Sequence, residues 1–406
     1  MRVGRLLENR GEKKMTFENE TKYFPLIRNL SDVLPHIEGR DEFIVAEREH
    51  FDVVNYVVCK PDTFSGESDV GSQIRRECRG LIFNKDGSLL SRRFHKFFNV
   101  GEKEWTQPDL VDLSRPHIIM EKLDGSMVSP ILMEDGIRWM TKMGFTDVAE
   151  QADLYTAERF EYRNICISFD KRGVSPIFEW CSRKNRVVID HGSDCSLVLI
   201  GARYTVSGDY VDFDSLAKIC DIFKVPLVKA TFSLDASVDD LLSHVKGLED
   251  TEGVVIQFLD TGEMLKIKTD WYSVLHKIKD RISSEHKLVQ AYLANEVDDL
   301  LPLLDAEQKE NVERFLKTLN LCHEDLIAKV HRGHLDKVGQ TRAYFAKTNV
   351  NKPEVNKVWL GLMFKTWGKS AILCKPDVMD VLAKHSTKAA KWDNFKETMQ
   401  WTDLNL

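Results

Sequence analysis

The chain has 406 residues, of which 43% are hydrophobic and 30% charged. This is enough apolar material for at least one substantial core, and enough length for two or three domains of about 150 residues. With 22 Gly and 11 Pro, neither whole-chain disorder nor a collagen-like repeat is possible, and no run of about 18 apolar residues exists to cross a bilayer. A formal net charge of −7 argues against wholesale coating of nucleic acid and leaves room for a local basic surface.

The eight cysteines, at 59, 78, 166, 181, 195, 220, 322 and 374, form no C-x-x-C pair. Their scatter disfavours a structural zinc site or a disulfide scaffold and fits a reduced, cytoplasmic protein. The basic stretch 1–15 lacks the apolar segment of a secretory signal. It is expected to be a disordered lead-in, with Met15 as an alternative start, and residues 1–40 together form an N-terminal extension.

From residue 41 to about 275 the pattern is α+β. Asp86-Gly87 separates Arg79–Phe83 from Leu89–Phe94, and Asp135-Gly136 separates Val128–Met133 from Ile137–Met143. An Asp-Gly pair between apolar runs signals a hairpin. Further strands are expected at Phe43–Ala46, Ile118–Glu121, Ile177–Cys181, Leu197–Tyr204, Glu252–Phe258 and Met264–Lys268. Helices are expected at Asp153–Tyr162, Phe213–Phe223 and Val238–Leu248. Beyond this point apolar residues recur at three- and four-residue spacing, as in Val312, Phe315, Leu316 and Leu319, which predicts an all-helical domain over 276–406. Charge divides within it: residues 281–310 carry a net −4 and residues 341–391 a net +7. The basic segment is either a solvated surface or a phosphate-contacting face.

The chemistry concentrates at Glu121-Lys122-Leu123-Asp124-Gly125-Ser126. A lysine at a strand end beside a tight turn is held in a fixed place. It can act as a nucleophile only as the neutral amine, which neighbouring cations or burial must favour. K-x-D-G alone reads equally as a hairpin turn with a surface lysine. Its companions change the weight: Glu179 within Phe178-Glu179-Trp180, Glu252 at the head of Glu252-Gly253-Val254-Val255, and Lys266 and Lys268, which share one face of a strand. Two such lysines make an anion site and would depress the pKa of a third nearby.

This ordered set resembles the covalent nucleotidyltransferases, which include DNA ligases, RNA ligases and mRNA capping enzymes. More specifically, it resembles the RNA ligase 1 family of T-even-like bacteriophages over residues 40–300. The resemblance rests on Glu77-Cys78-Arg79-Gly80, Lys96-Phe97-Phe98-Asn99, residues 122–126, Phe178-Glu179 with Asn185-Arg186, Glu252-Gly253 and Lys266–Tyr272. It implies an ATP-grasp-like ligase domain of two packed antiparallel sheets with flanking helices. It also implies ATP and Mg²⁺ (or Mn²⁺) as cofactors, and RNA with 5′-phosphate and 3′-hydroxyl ends as substrate, nicked tRNA among them. A monomer in the cytoplasm, the host's if phage-encoded, and a role in RNA repair follow from the same resemblance.

Carried over by position, Lys122 is the catalytic nucleophile and Glu179 the acid that holds the ribose hydroxyl. Glu252 acts around the metal and the nucleophile, and Lys266 and Lys268 grip the α-phosphate. Arg79 and Lys96 contact the nucleotide and its outgoing phosphates, and Tyr272 is a further functional residue. Asp298 and Asp299 resemble a metal-associated pair, though two acids also suit the first turn of a helix. Lys142, expected on the strand after the second Asp-Gly turn, is either a phosphate contact or a surface lysine. Met127 stands where DNA ligases and capping enzymes carry arginine, and no β-barrel pattern follows Lys268, which favours RNA ligase. A GTP-using capping enzyme and an inactive RNA-binding relic are the alternatives.

Overall fold

The computed structural model describes residues 23–406, excepting 61, 65–68, 135, 184–187, 190–194, 233–236, 337–338, 351–355, 370 and 402. The expected lead-in with Met15, the turn residue Asp135, and Asn185-Arg186 lie outside the described residues. The chain divides into two compact units, the first ending at Tyr272 and the second spanning Ser273–Leu406, against an expected boundary at 275/276.

In the first unit the strands are β1 Phe43–Glu47, β2 Phe51–Tyr56, β3 Arg79–Asn84, β4 Leu89–Ser91, β5 Phe98–Asn99, β6 His117–Glu121, β7 Ser126–Met133, β8 Gly136–Met140, β9 Val174–Cys181, β10 Ser196–Tyr204, β11 Ala230–Phe232, β12 Gly253–Phe258 and β13 Met264–Lys268. The helices are α1 Leu34–Ile37, α2 Val70–Glu77, α3 Asp147–Thr156, α4 Phe160–Asp170, α5 Phe213–Phe223 and α6 Val238–Lys246. They build three sheets rather than the expected two, ordered β1-β2-β3-β4, β10-β9-β7-β8 and β11-β6-β12-β13-β5. All pairings are antiparallel except β13 with β5. Both expected hairpins form, β3 with β4 and β7 with β8.

Alternation along the strands of the third sheet decides where the site can form. Ile119, Ile256 and Ile267 point one way and pack on Leu241 and Val245 of α6. Ile118, Met120 and Met264 point the other way, against Ile177, Val198 and Ile200 of the second sheet. The second sheet uses the same period-2 rule: Phe178, Trp180, Leu197 and Leu199 bury against α3, α4 and α5, which leaves Glu179 facing the third sheet. The first sheet is covered by α1 and α2 through Ile37, Ile74, Val54, Leu81 and Phe83. Ile27 and Val33 belong to that core, so residues 24–40 are part of the domain and not a loose extension.

Three local expectations change. The helix expected over Asp153–Tyr162 is the junction of α3 and α4. Asp153 accepts the Trp139 main-chain N–H at 2.9 Å, which fixes α3 on β8, while α4 must turn to bury Tyr162, Ile165 and Phe169. Only Ala149 and Ala152 of α3 are buried, too faint an apolar signal to mark its start. The strand expected to Met143 stops at Met140, and Lys142 lies in a turn closed by Thr141 and Gly144. β2 and α2 were not anticipated.

The second unit contains α7 Asp270–Ile282 (which begins in the first), α8 Glu285–Leu293, α9 Val297–Leu300, α10 Ala306–Leu335, α11 Arg342–Asn349, α12 Lys357–Lys365, α13 Ala371–His385 and α14 Ala389–Met399. Helix α10 buries Val312, Phe315, Leu319, His323, Leu326 and Val330, the spacing of one helical face. No helix among the described residues is long and apolar enough to cross a membrane, and all eight cysteines are free.

At the C-terminal end of α2, Glu77 is buried between two buried arginines. Its carboxylate accepts from Arg92 at 2.9–3.0 Å and from Arg203 at 2.8–2.9 Å, and this pairing holds its pKa well below the usual carboxylate range despite burial. Glu77→Gln leaves both guanidinium groups buried without a counter-charge. It should lower unfolding free energy by about 3–5 kcal/mol, read as an earlier denaturant midpoint; an unchanged midpoint would contradict the account.

Candidate active site

A cavity of about 290 Å³ opens between the second and third sheets, and Arg79, Lys96, Lys122, Glu179, Glu252, Lys266 and Lys268 all line it. Register explains the convergence. Val255 pairs with both Met120 and Lys266, and Gly253 pairs with Lys268, so these residues share a face. Lys122 donates its main-chain N–H to Gly253 O at 2.9 Å, which extends the register by two residues and brings Lys122 to the same face. Gly253 has φ +139°, and a Cβ there would lie 2.0 Å from Ile267 O. Only glycine allows β12 and β13 to approach this closely behind the nucleophile candidate.

Glu252, 4% exposed, joins two lysines. Its Oε2 lies 2.7 Å from Lys122 Nζ and its Oε1 2.9 Å from Lys268 Nζ. The apolar remainder of the wall (Phe94, Met120, Met127, Ile200, Val228, Val255, Met264) suits a flat heteroaromatic group, while the cations form the polar end. Phe97 lies between two of them, with Arg79 5.6 Å and Lys266 5.8 Å from its ring centroid. Lys96 Nζ lies 5.2–5.7 Å from the rings of Tyr56, Phe64 and Phe98, cation–π contacts that hold it in place.

Burial, and then the cations Lys96, Lys122 and Arg79, bring the Lys266 pKa down to about 7. Burial pushes Glu179 up to about 7; Lys122 opposes this and Glu252 adds to it. Tyr272, on α7, donates its hydroxyl to Asp124 Oδ1 at 2.8 Å, and burial raises its pKa. Lys268 Nζ lies 4.7 Å from the Tyr272 ring. The Lys142 turn passes beside Gly80, and Lys142 Nζ lies 5.3 Å from the ring of Tyr56, which lines the cavity although Lys142 itself does not. Asp298 and Asp299 are exposed in the first turn of α9 in the second unit. Among the described residues no group of three or more His, Cys, Asp or Glu could hold a metal by itself.

Two lining or supporting residues escaped sequence reasoning. Tyr56 sits on the unanticipated β2. Asp124 reads as a turn former in K-x-D-G, yet it is 2% exposed and its Oδ2 accepts main-chain N–H bonds from Val188 and Ile189 at 2.7 and 2.6 Å. Its burial could not be seen from the tetrapeptide.

The cleft between the two sheets thus holds a strand-end lysine in contact with one carboxylate, ringed by further cations. Residues 77–272, a little under half of the chain, match the family model described as RNA ligase. It is 28% identical over 318 residues to an RNA ligase-named protein of Thermovibrio ammonificans, covering 75% of this chain and 79% of that one. It is 24% identical over 260 residues to RNA ligase 1 of bacteriophage TS2126, 62% of each chain. It spans only 36% of a polynucleotide kinase/RNA ligase of Autographa californica nuclear polyhedrosis virus, at 27% identity. Among solved structures it is similar to a Naegleria gruberi RNA ligase with ATP and Mn (17% identity, TM-score 0.34, 40% of this chain and 52% of that one). A DNA ligase from Aquifex aeolicus overlaps more broadly, at 13% identity, TM-score 0.44, and 70% and 73% coverage.

The lowered Lys266 pKa has a thermodynamic consequence. With a pKa of about 7, Lys266 is mostly uncharged at pH 8, and a polyanion entering the cavity favours its charged form, so binding a nucleoside triphosphate at pH 8 should take up protons. Titration calorimetry in buffers of different ionisation enthalpy should show this uptake and show it reduced in Lys266→Arg, whose guanidinium stays charged. Equal uptake in the two proteins would assign the proton elsewhere.

Proposed function

We propose that the chain is an ATP-dependent RNA ligase that joins 5′-phosphate and 3′-hydroxyl RNA ends through a lysyl–AMP intermediate on Lys122. The observation that carries the reading is the 2.7 Å contact between Lys122 Nζ and Glu252 inside a cleft ringed by four further cations. Glu252 is placed to accept the ammonium proton. The freed amine attacks the α-phosphorus of ATP, the N–P bond forms, the bond to the β-phosphate oxygen breaks, and pyrophosphate leaves. In the second step the RNA 5′-phosphate displaces Lys122 and gains AMP. In the third, the RNA 3′-hydroxyl attacks that 5′-phosphate and releases AMP.

Each step is a displacement at phosphorus, so the protein's part is alignment and charge neutralisation. Lys266 and Lys268 hold the α-phosphate, and Arg79, Lys96 and Lys142 face the outgoing phosphates. Glu179 takes the ribose hydroxyl. Tyr272 and Asp124 hold the nucleophile's turn against Lys268. Glu252 and Glu179 supply hard oxygen donors, and with the nucleotide's own phosphates they suit Mg²⁺ or Mn²⁺, which keeps waters and phosphate oxygens and needs few protein ligands. When bound, such an ion neutralises phosphate charge. Asp298 and Asp299 are offered as an auxiliary metal contact. We assign the +7 stretch 341–391 to RNA contact, and repair of broken RNA, nicked tRNA included, to a monomer in the cytoplasm.

Incubation with Mg²⁺ and α-³²P-ATP should label the protein with an acid-labile, alkali-stable bond that Lys122→Ala abolishes. Label from α-³²P-GTP instead would indicate a capping-type enzyme. No label from either nucleotide, on folded and AMP-free protein, would leave an RNA-binding relic as the better account.

A further inference from the structure

The segment between β4 and β5 carries Arg92, Arg93, Phe94 and Lys96 in close succession. Arg92 is paired with the Glu77 carboxylate, which it shares with Arg203. Arg93 is not: it is 1% exposed, and among the described residues it forms no ion pair. Its Nη1 donates to Gly80 O and its Nη2 to Met140 O at 3.3 Å, while its Nε finds no partner among the described residues. Burial alone brings its pKa down to about 9, so it is still a cation at neutral pH. A buried cation without a counter-charge is costly, and neutral donors could satisfy two carbonyls.

The two carbonyls supply the reason. Gly80 follows Arg79, and Met140 comes two residues before Lys142. β3 and β8 belong to different sheets, and they meet here. Gly80 has φ +84°, and a Cβ on it would stand 2.6 Å from Lys142 Cα. The guanidinium holds donors on separate nitrogens in a rigid fork that spans two carbonyls, whereas lysine gathers its three donors on one nitrogen of a flexible stem. Arg93 is itself anchored, since Arg203 Nη1 donates to its carbonyl at 2.6 Å. The chain leads on directly to Phe94 and Lys96 in the cavity wall.

We infer that Arg93 is a positioning residue for the phosphate end of the nucleotide site: by fastening β3 to β8 it sets the spacing of Arg79 and Lys142 while its own segment places Lys96. The inference rests on the ATP-dependent reading above. Arg93 lies behind the cavity and acts only through these three cations. The outgoing phosphates that they face exist in the first step alone, because RNA already carrying AMP has no pyrophosphate to lose. Loss of the fastener must therefore slow lysyl–AMP formation and spare the final joining step, whereas a general loss of folding would slow both.

The test compares wild type, Arg93→Lys and Arg93→Met in two reactions, protein–AMP formation from ATP and joining of preformed A(5′)pp(5′)RNA. Arg93→Lys should raise the KM for ATP about tenfold in the first reaction with little change in kcat, and stay within about twofold of wild type in the second. Arg93→Met should be at least as impaired in the first. If it fails to fold, Arg93→Lys decides alone. In a Lys142→Met background, Arg93→Lys should cost less than it does alone, because the two act together. Equal slowing of both reactions, or none of the first, overturns the inference. A wild-type protein that takes no AMP from ATP overturns the ligase reading and the inference with it, so the wild-type reference keeps the two failures apart.

Discussion

One carboxylate with two lysines on it governs the site. Glu252 bonds Lys122 through one oxygen and Lys268 through the other, and it is almost fully buried. A buried carboxylate needs compensating charge, so the pairing restrains both ammonium groups. It leaves Lys122 in contact with a base and Lys268 facing the space where an anion would sit. If Glu252 is absent, two adjacent ammonium groups repel each other and neither has a defined position. The same contact therefore supplies order and a proton acceptor.

The fold is what permits that contact. Three strands of the third sheet bring one residue pair each to a common face: Met120 and Lys122, Gly253 and Val255, Lys266 and Lys268. The alternate residues bury in the α6 layer, which locks the register, since a slip by one residue would exchange the charged set for the isoleucines. The second sheet closes the cleft from across and contributes Glu179 by the same alternation. The first sheet contributes Arg79. Its attachment runs through buried arginines, Arg92 and Arg203 sharing the one Glu77 carboxylate and Arg93 without an ion pair among the described residues, so the structural core beside the cleft has the same sign of charge as the cleft itself.

Much of this was legible in the residues. Apolar runs and Asp-Gly turns located most strands, and K-x-D-G, Phe-Glu, Glu-Gly-Val-Val and Lys-x-Lys in that order pointed to four pieces of one site. What was not legible was contact between pieces far apart in the chain. The register that sets Lys122 beside Gly253 joins residues more than a hundred positions apart. Asp124 looks like a turn former until Tyr272 and the Val188–Ile189 main chain are seen around it. β2 and α2 have mixed patterns because part of each faces the cleft or a buried ion pair instead of a plain apolar core. The α3–α4 break was hidden because two alanines bury little area, and Asp153, which fixes the break, reads as an ordinary helical acid.

The central claim is that Lys122 becomes covalently bound to AMP. Peptide mapping by mass spectrometry after exposure to ATP and Mg²⁺ tests it most directly, under non-acidic digestion that preserves a phosphoramidate. The account predicts AMP on the peptide containing Lys122, and fragmentation that assigns it to that side chain. AMP on Lys266, Lys268 or any other residue, with Lys122 unmodified, would contradict it.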